Sequence, residues 1–195
     1  SVKKFQENRG LSVDGVVGMY TSIEIRKLLR PNLGTSLNEA VKSFKRDSNT
    51  ISICFDVDNI GNYKEQNDFY QKIKTHCTEV GVSVYFSSEV NQDNNEENVV
   101  GYVNKLNPSL FLKFAFKEPG SSINYFKGKH SLSIIGERLS NKIGLDKEIT
   151  SQGKSLPILK KTKSVTLIFN GNFYQFNIEE LITKIVNELK DIYKN

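Results

Sequence analysis

The chain has 195 residues, of which 25% are charged and 37% are hydrophobic, a composition typical of a globular protein that folds in water. That length suffices for one domain of about 150 residues with a small appendage, and no apolar run approaches the roughly 20 residues of a membrane-spanning helix. The formal net charge is +5 and the sequence pI is about 9.0. Because the lysines are scattered and no arginine-rich block occurs, this charge argues against nucleic acid and favours another anionic partner.

Cysteine and histidine are scarce, with two of each in the chain. Cys54 falls in a predicted strand and Cys77 in a predicted helix, without the C-x-x-C spacing of a metal site. We expect two buried free thiols, and a disulfide between the strand and the helix remains the alternative. His76 in mid-helix and His130 at a helix start are expected to be surface or partly packed side chains. Few zinc-type ligands are therefore available.

The first thirty residues are predicted to be compact and helical. VKKFQENRG indicates a short amphipathic helix, and a loop with several glycines follows it. Thr21 opens a capping box, T-S-I-E, for a second helix. We place a linker with one short helix at residues 31–49, so the two predicted domains are residues 1–30 and 50–195.

From residue 50 onward, strand patterns alternate with amphipathic helix patterns. The predicted strands are ISICFDV, VSVYFSS, LFLKFAF, INYFKG, LPILK and SVTLIFN, with INYFKG as a short edge strand. The predicted helices are KEQNDFYQKIKTHCTEVG, VVGYVNKL, HSLSIIGERLSNKIG and IEELITKIVNELKDIY. This alternation predicts an α/β fold, with a twisted, mainly parallel sheet and helices on both faces.

The N-terminal segment resembles the second half of a peptidoglycan-binding domain of the small helical-bundle kind. Its Phe-Gln helix, Gly-Leu turn, Asp-Gly-x-x-Gly loop and Thr-initiated helix follow the family's order, although Ile23 stands where the family usually has Trp. The family's first helical half is missing from this chain. The resemblance implies a set of peptidoglycan-binding candidates: Asp14, Gly15, Gly18, Tyr20 and Thr21. The alternative is that this segment only packs against the larger domain.

The remainder, residues 50–193, resembles the zinc-dependent N-acetylmuramoyl-L-alanine amidases of the Amidase_3 type. The first strand leads into DVDNIG, where the family has D-x-G-H-G-G, and a helix ending in Gly81 precedes VSVYFSS, like the family's G-x-x-V-x-x-T-R strand. LNPSLFLKFAF matches N-x-x-D-L-F-I-S-I-H, and SVTLIFNGNF matches P-A-V-L-V-E-x-G-F. The resemblance implies the family's α/β fold, with a metal site near the ends of the first and third strands.

The same resemblance places the family's catalytic groups on residues that lack that chemistry. The family's zinc-binding His after the first strand aligns with Asn59, and its ligand Glu aligns near Asn62. Its second His aligns with Ala115, and its catalytic Glu with Phe169. We therefore expect zinc to be absent, because Ala and Phe have no ligand atom and Asn is a poor ligand. Glu65, one helical turn beyond Asn62, is a candidate residual acid.

Two further expectations concern this edge of the sheet. Asp56, Asp58 and Glu65 are oxygen donors of the type that holds Mg²⁺ or Ca²⁺, although turn formation explains the two aspartates equally well. Phe116 and Phe169 are expected to fill the former pocket, which would leave it shallow or plugged and the chain robust.

Three functions follow from these observations. The first is a pseudoenzyme that binds peptidoglycan or an anionic wall polymer without cutting it. The alternative is an amidase that hydrolyses the muramyl–peptide amide bond with a rearranged site. The third is a regulatory partner of a wall hydrolase, docking through exposed apolar side chains such as Tyr63, Tyr70 or Tyr125.

The expected location is the cell wall, the extracellular space or a spore envelope. The heavy use of Asn, Lys and Ile indicates an AT-rich genome and a Gram-positive source. No signal peptide is visible, and Ser1 opens directly on an amphipathic helix, so we expect the chain to be a trimmed or processed form.

Overall fold

The computed structural model describes residues 1–18, 20–21, 24–25, 51–58, 63–89, 95–116, 121–144, 149–171 and 177–194. The predicted linker at 31–49 and the aligned positions Asn59 and Asn62 lie outside these residues. The strands are β1 (Ser52–Val57), β2 (Ser83–Phe86), β3 (Leu110–Ala115), β4 (Ser122–Phe126), β5 (Thr150–Lys154) and β6 (Val165–Asn170). The helices are α1 (Val2–Asn8), α2 (Tyr63–Glu79), α3 (Glu96–Leu106), α4 (Ile134–Gly144), α5 (Pro157–Lys161) and α6 (Ile178–Lys194), with a 3₁₀ turn at Ser87–Glu89.

The six strands form one sheet in the order β2-β1-β3-β6-β4-β5. Strands β2, β1, β3 and β6 run parallel, β4 is antiparallel to β6, and β5 is parallel to β4. This confirms the predicted α/β fold with a mainly parallel sheet. None of the helices in the described part of the chain has the length and hydropathy of a membrane span.

Helices cover both faces of the sheet, as predicted, and each face has its own core. Helices α2, α4 and α6 pack on the larger core, to which they contribute residues such as Phe69, Leu139 and Ile182. Helices α3 and α5 pack on the smaller one through residues such as Val103 and Ile158. Parallel strands buried on both faces are apolar almost throughout, which explains why all six residues of β6 are buried.

The prediction of a strand at LPILK is wrong, because these residues form helix α5. Pro157 occupies the first helical turn, where its missing N–H costs nothing and its fixed φ suits a helix. Ile158 and Leu159 are buried in the smaller core. The apolar run is too short to show a helical or strand period, so the sequence could not distinguish a short buried helix from a strand. The strand of this region is instead β5, whose sequence TSQGK lacks the apolar alternation that identifies strands.

The prediction that INYFKG forms an edge strand is also wrong. These residues contribute to β4, which lies between β6 and β5 and is hydrogen-bonded on both sides. The edge position belongs to the polar strand β5. A short edge strand rich in polar side chains and glycine is a poor template for association with another chain. The polar sequence that made β5 hard to predict therefore suits its position at the edge of the sheet.

The two cysteines are buried thiols, as predicted, and the alternative disulfide between them does not form. Cys54 belongs to the core under α3 and α5, whereas Cys77 belongs to the core on the opposite face of the sheet. Burial raises the pKa of the Cys77 thiol to about 12. Because an unfolded thiol ionises near about 8.5, Cys77 contributes stability that declines as the pH rises from there toward 12.

We predict that Phe114→Ala lowers the free energy of unfolding by about 3 to 5 kcal/mol. The Phe114 ring lies 4.9 Å from Phe169, 5.5 Å from Phe116 and 6.0 Å from Phe69, so its removal empties the centre of the larger core. Urea denaturation measures the change. Lys105→Ala, at an exposed position on α3, is the control and should alter stability by less than about 0.5 kcal/mol. A loss below about 1 kcal/mol for Phe114→Ala would contradict this packing.

We also predict that Ellman's reagent finds no reactive thiol in the native protein and two after denaturation, without added reductant. The reason is that Cys54 and Cys77 have no exposed surface and lie on opposite sides of the sheet. A denatured titre of zero would indicate a disulfide and would contradict the described positions.

Candidate functional site

The pairing register of β3 and β6 decides which aligned site residues lie together. Residues paired between neighbouring strands point to the same face, and successive residues point to opposite faces. Ala115 is paired with Asn170, and Phe114 with Phe169. Ala115 belongs to the core under α3 and α5, and Phe169 to the core on the other face. The structure therefore does not bring Ala115 and Phe169 together.

Asn170 is the β6 residue that lies beside Ala115, and sequence reasoning missed it. Its side-chain amide donates a hydrogen bond to Ser122 Oγ at 3.1 Å, across the β6–β4 pair. The alternation of side-chain faces along SVTLIFN was the signal that would have identified Asn170, rather than Phe169, as the residue on the Ala115 face. If the resemblance places a catalytic Glu at the end of this strand, the residue on the Ala115 face is Asn170, an amide that can neither give nor take a proton near neutral pH.

A groove of about 560 Å³ opens on the Ala115 face of the sheet. Buried residues form its floor: Ala115, Asn124, Ile158, Ile168 and Asn170. Its walls are lined by hydroxyl and amide side chains from β4, from β5 and from the residue just before β4: Ser121, Ser122, Thr150 and Gln152. Lys113, Lys154 and Glu96 are the charged residues among those that line it, with Leu156 and Pro157 at the start of α5.

The expectation that Phe116 and Phe169 plug this pocket is wrong. Both rings pack in the larger core, where Phe114 stacks between them. They fill the opposite face of the sheet and leave the groove open. The apolar side chains at the strand ends thus stabilise the fold without occupying the space beside Ala115.

Asn124 is the most unusual polar residue of the groove. It is 1% exposed, and its Oδ1 atom has no hydrogen-bond partner. A buried acceptor left unpaired costs about 1 to 3 kcal/mol, and Ser164 Oγ is the other such side-chain atom in the described part of the chain. Asn124 therefore provides a buried acceptor in the groove floor that a donor of a bound molecule can satisfy.

Lys113 forms an ion-pair cluster at the end of β1. Its Nζ donates to Asp56 Oδ2 at 2.6 Å and to Asp58 Oδ1 at 3.1 Å. Ser87 Oγ donates to the second oxygen of Asp56. Burial by itself would lower the pKa of Lys113, but the carboxylates of Asp56 and Asp58 outweigh it and raise that pKa above its ordinary value. The stability this contact contributes is present below the unfolded pKa of about 10.4 and is lost as pH rises through the folded pKa.

The described residues do not offer zinc a donor set. Ala115 has no ligand atom, and both carboxylates of the cluster are already bound to an ammonium group. Within the described ranges, no three His, Cys, Asp or Glu side chains come close enough to hold a metal ion. Asp56, Asp58 and Glu65 therefore do not form the Mg²⁺ or Ca²⁺ site considered from the sequence, and Glu65 lies exposed in the first turn of α2.

The N-terminal candidates surround one buried amide, that of Gln6. Gln6 is 1% exposed, and its Nε2 lies 2.6 Å from Asp14 Oδ1 and 3.0 Å from Thr21 Oγ1. The Gly15 N–H donates to Gln6 Oε1 at 2.8 Å, and Gly15 adopts a φ of 80° that favours glycine. Three of the five candidates thus hold the loop against α1. Tyr20 is 71% exposed.

Of the three tyrosines considered as docking anchors, the two whose side chains the structure describes are buried or half-buried. Tyr125 is 6% exposed and donates a hydrogen bond to Glu137 at 2.7 Å. Tyr70 is half-buried and packs on Phe86 with ring centroids 4.8 Å apart. The side chain of Tyr63 lies outside the described residues. The two histidines match their prediction, since His76 contacts Thr183 at 2.8 Å and His130 is an exposed turn residue.

Comparison with solved structures shows which fold this is. The catalytic domain of CwlV, an N-acetylmuramoyl-L-alanine amidase from Bacillus (Paenibacillus) polymyxa var. colistinus, superposes with a TM-score of 0.54 at 11% identity, over 73% of this chain and 99% of that one. The N-acetylmuramoyl-L-alanine amidase AmiC2 of Nostoc punctiforme superposes with a TM-score of 0.52 at 13% identity, over 74% of this chain and 99% of that one. No protein-family model matches the sequence, and no curated protein is significantly similar to it. The α/β region therefore has the fold of N-acetylmuramoyl-L-alanine amidase catalytic domains.

Proposed function

We propose that the α/β domain is a non-catalytic binding domain for peptidoglycan, built on the fold of a wall amidase. The observation that carries this proposal is the open groove beside Ala115, whose polar lining consists mainly of neutral amides and hydroxyls. The fold supports the choice of ligand, because the similar solved structures are amidases of N-acetylmuramoyl-L-alanine. The chemistry of the groove supports the absence of cleavage.

Hydrolysis of an amide requires an activated water and a group that moves protons. Ala115 and Asn170, side by side on the floor, supply neither. Glu96 is the carboxylate among the described lining residues, and it lies exposed in the first turn of α3. The Lys113 ammonium is held by two aspartates and is not available as a general base near neutral pH. These positions favour binding over turnover.

The groove suits a neutral ligand that carries both amides and hydroxyls. Gln152, Thr150 and Ser122 can donate and accept hydrogen bonds along its wall, while Ile158 and Ile168 offer apolar surface on the floor. N-acetylated sugars and peptide bonds present the matching combination of polar edges and apolar faces. The unpaired Oδ1 of Asn124 adds an acceptor for a ligand N–H or O–H, once the side chains that cover it move aside.

The N-terminal segment fits the same role in a secondary way. Its likeness to half of a peptidoglycan-binding module and its exposed Tyr20 support a wall contact, even though Asp14 and Thr21 serve the loop itself. The net charge of +5 suits a wall that carries anionic polymers. We propose that the protein acts at the cell wall, in the extracellular space or in a spore envelope, with a wall hydrolase as a further partner.

We predict that the purified protein co-sediments with sacculi and that Thr150→Ala/Gln152→Ala weakens this binding about tenfold. The estimate assumes the loss of one to two neutral hydrogen bonds of about 1 kcal/mol each. Lys190→Ala, at an exposed position on α6 away from the groove, is the matched control and should bind as the parent does. Thermal melts of all three proteins establish that the fold is intact.

The same preparation distinguishes binding from catalysis. Incubation with sacculi should release no peptides and no free muramyl ends. Release that follows the protein through purification and is abolished by a chelator would establish the rearranged amidase instead. Failure of the parent protein to co-sediment would overturn the proposed function.

A further inference from the structure

We propose that the Lys113 ammonium is a built-in cation that holds the carboxylates of Asp56 and Asp58 together at the ends of β1 and β3, and that it occupies the space a divalent metal ion would need between them. This proposal concerns how the edge of the sheet is held together, and it does not depend on which ligand the groove binds. It rests on the two ion pairs of Lys113 with Asp56 and Asp58, on the burial of these side chains, and on the pairing register of the two strands.

The register fixes the contact in place. Asp56 of β1 is paired directly with Lys113 of β3, so the two side chains leave the sheet on the same face, beside each other. The Asp58 N–H donates to Phe114 O at 3.0 Å, which continues the ladder past the end of β1 and keeps the second carboxylate nearby. The cluster is therefore set by the backbone.

Burial makes a cation necessary at this point. The side chains of Asp56, Lys113 and Asp58 are 13%, 22% and 32% exposed. Two carboxylates held so close in a partly buried place repel each other unless a positive charge lies between them. Lys113 is also the one charged residue of β3, in a strand whose other members are all buried and apolar. Such a lysine is tolerated only with partners of opposite charge.

The ammonium and a metal ion exclude each other. Both would occupy the space between Asp56 Oδ2 and Asp58 Oδ1, which Nζ fills at 2.6 and 3.1 Å. The other oxygen of Asp56 already accepts from Ser87. A divalent cation enters only if Lys113 leaves, and it would then find two oxygen donors of the kind that calcium and manganese bind.

The decisive variant is Lys113→Met, which keeps most of the side chain's length and removes its charge. We expect its melting temperature to fall by about 10 °C, because it leaves two partly buried carboxylates uncompensated. Calcium or manganese chloride at about ten times a millimolar dissociation constant should then restore roughly 3 to 5 °C, since a cation that binds only the folded state stabilises it. The parent protein should gain nothing from either salt and lose nothing in EDTA.

Matched variants distinguish the loss of the Lys113 charge from a simple loss of side-chain packing. Lys113→Met/Asp56→Asn should be more stable than Lys113→Met alone and should not respond to divalent cations. Lys105→Met, at an exposed lysine on α3, should melt as the parent does in every salt. Sodium chloride of equal ionic strength controls for screening.

The outcomes are decisive in both directions. The proposal is overturned if Lys113→Met is as stable as the parent, if it gains no more from calcium or manganese than from sodium, or if the parent itself binds a divalent cation at this edge. Should Lys113→Met fail to accumulate as folded protein, refolding from urea with and without calcium measures the same competition. Refolding that is indifferent to calcium would then sink the proposal.

Discussion

The parallel register of β1, β3 and β6 is the constraint on which the rest of the structure depends. In this trio each residue of β3 has a fixed partner on either side, so every side chain is assigned to one face. Phe114 and Phe169 are assigned to one face, and Lys113, Ala115 and Asn170 to the other. A slip of one residue would exchange the two sets and place the ammonium group in the aromatic core.

That assignment separates stability from recognition. The larger core, under α2, α4 and α6, contains the stacked rings and most of the buried apolar side chains. The other face has a smaller core and leaves the ends of β3 and β6 open to the groove. Because no groove-lining residue belongs to the larger core, substitutions in the lining leave the packing of that core unchanged. This separation of the core from the groove is compatible with the proposed binding function of an amidase-like fold.

Sequence patterns predicted the elements that bury a continuous apolar stripe and missed those that do not. Helix α2 was predictable because its apolar residues recur on one face, and strands β1, β3 and β6 because they are short, nearly continuous apolar runs. Strand β5 was missed because an edge strand of Thr, Ser, Gln, Gly and Lys has no apolar alternation, and α5 was mistaken for a strand because five residues cannot show a helical period. The linker at residues 31–49 and the aligned positions Asn59 and Asn62 lie outside the described residues and stay predictions.

The site itself was less predictable than the fold, since motif alignment ignores which face a residue occupies. Matching the last strand by its letters aligned the family's catalytic Glu with Phe169, whereas the pleat of β6 places Asn170 on the Ala115 side.

The contact between Lys113 and the two aspartates was equally hidden, because 55 and 57 residues separate the partners along the chain. It becomes visible only when β1 and β3 are placed next to each other. A lone lysine in a buried run such as LFLKFAF is nevertheless a usable signal. Its charge must be compensated by an acidic residue on a neighbouring strand, and the carboxylates at the end of β1 were the nearest candidates. Strand β3 therefore serves both faces of the sheet. Phe114 lies at the centre of the aromatic cluster on one face, and the ammonium group of Lys113 binds the carboxylates at the end of β1 on the other.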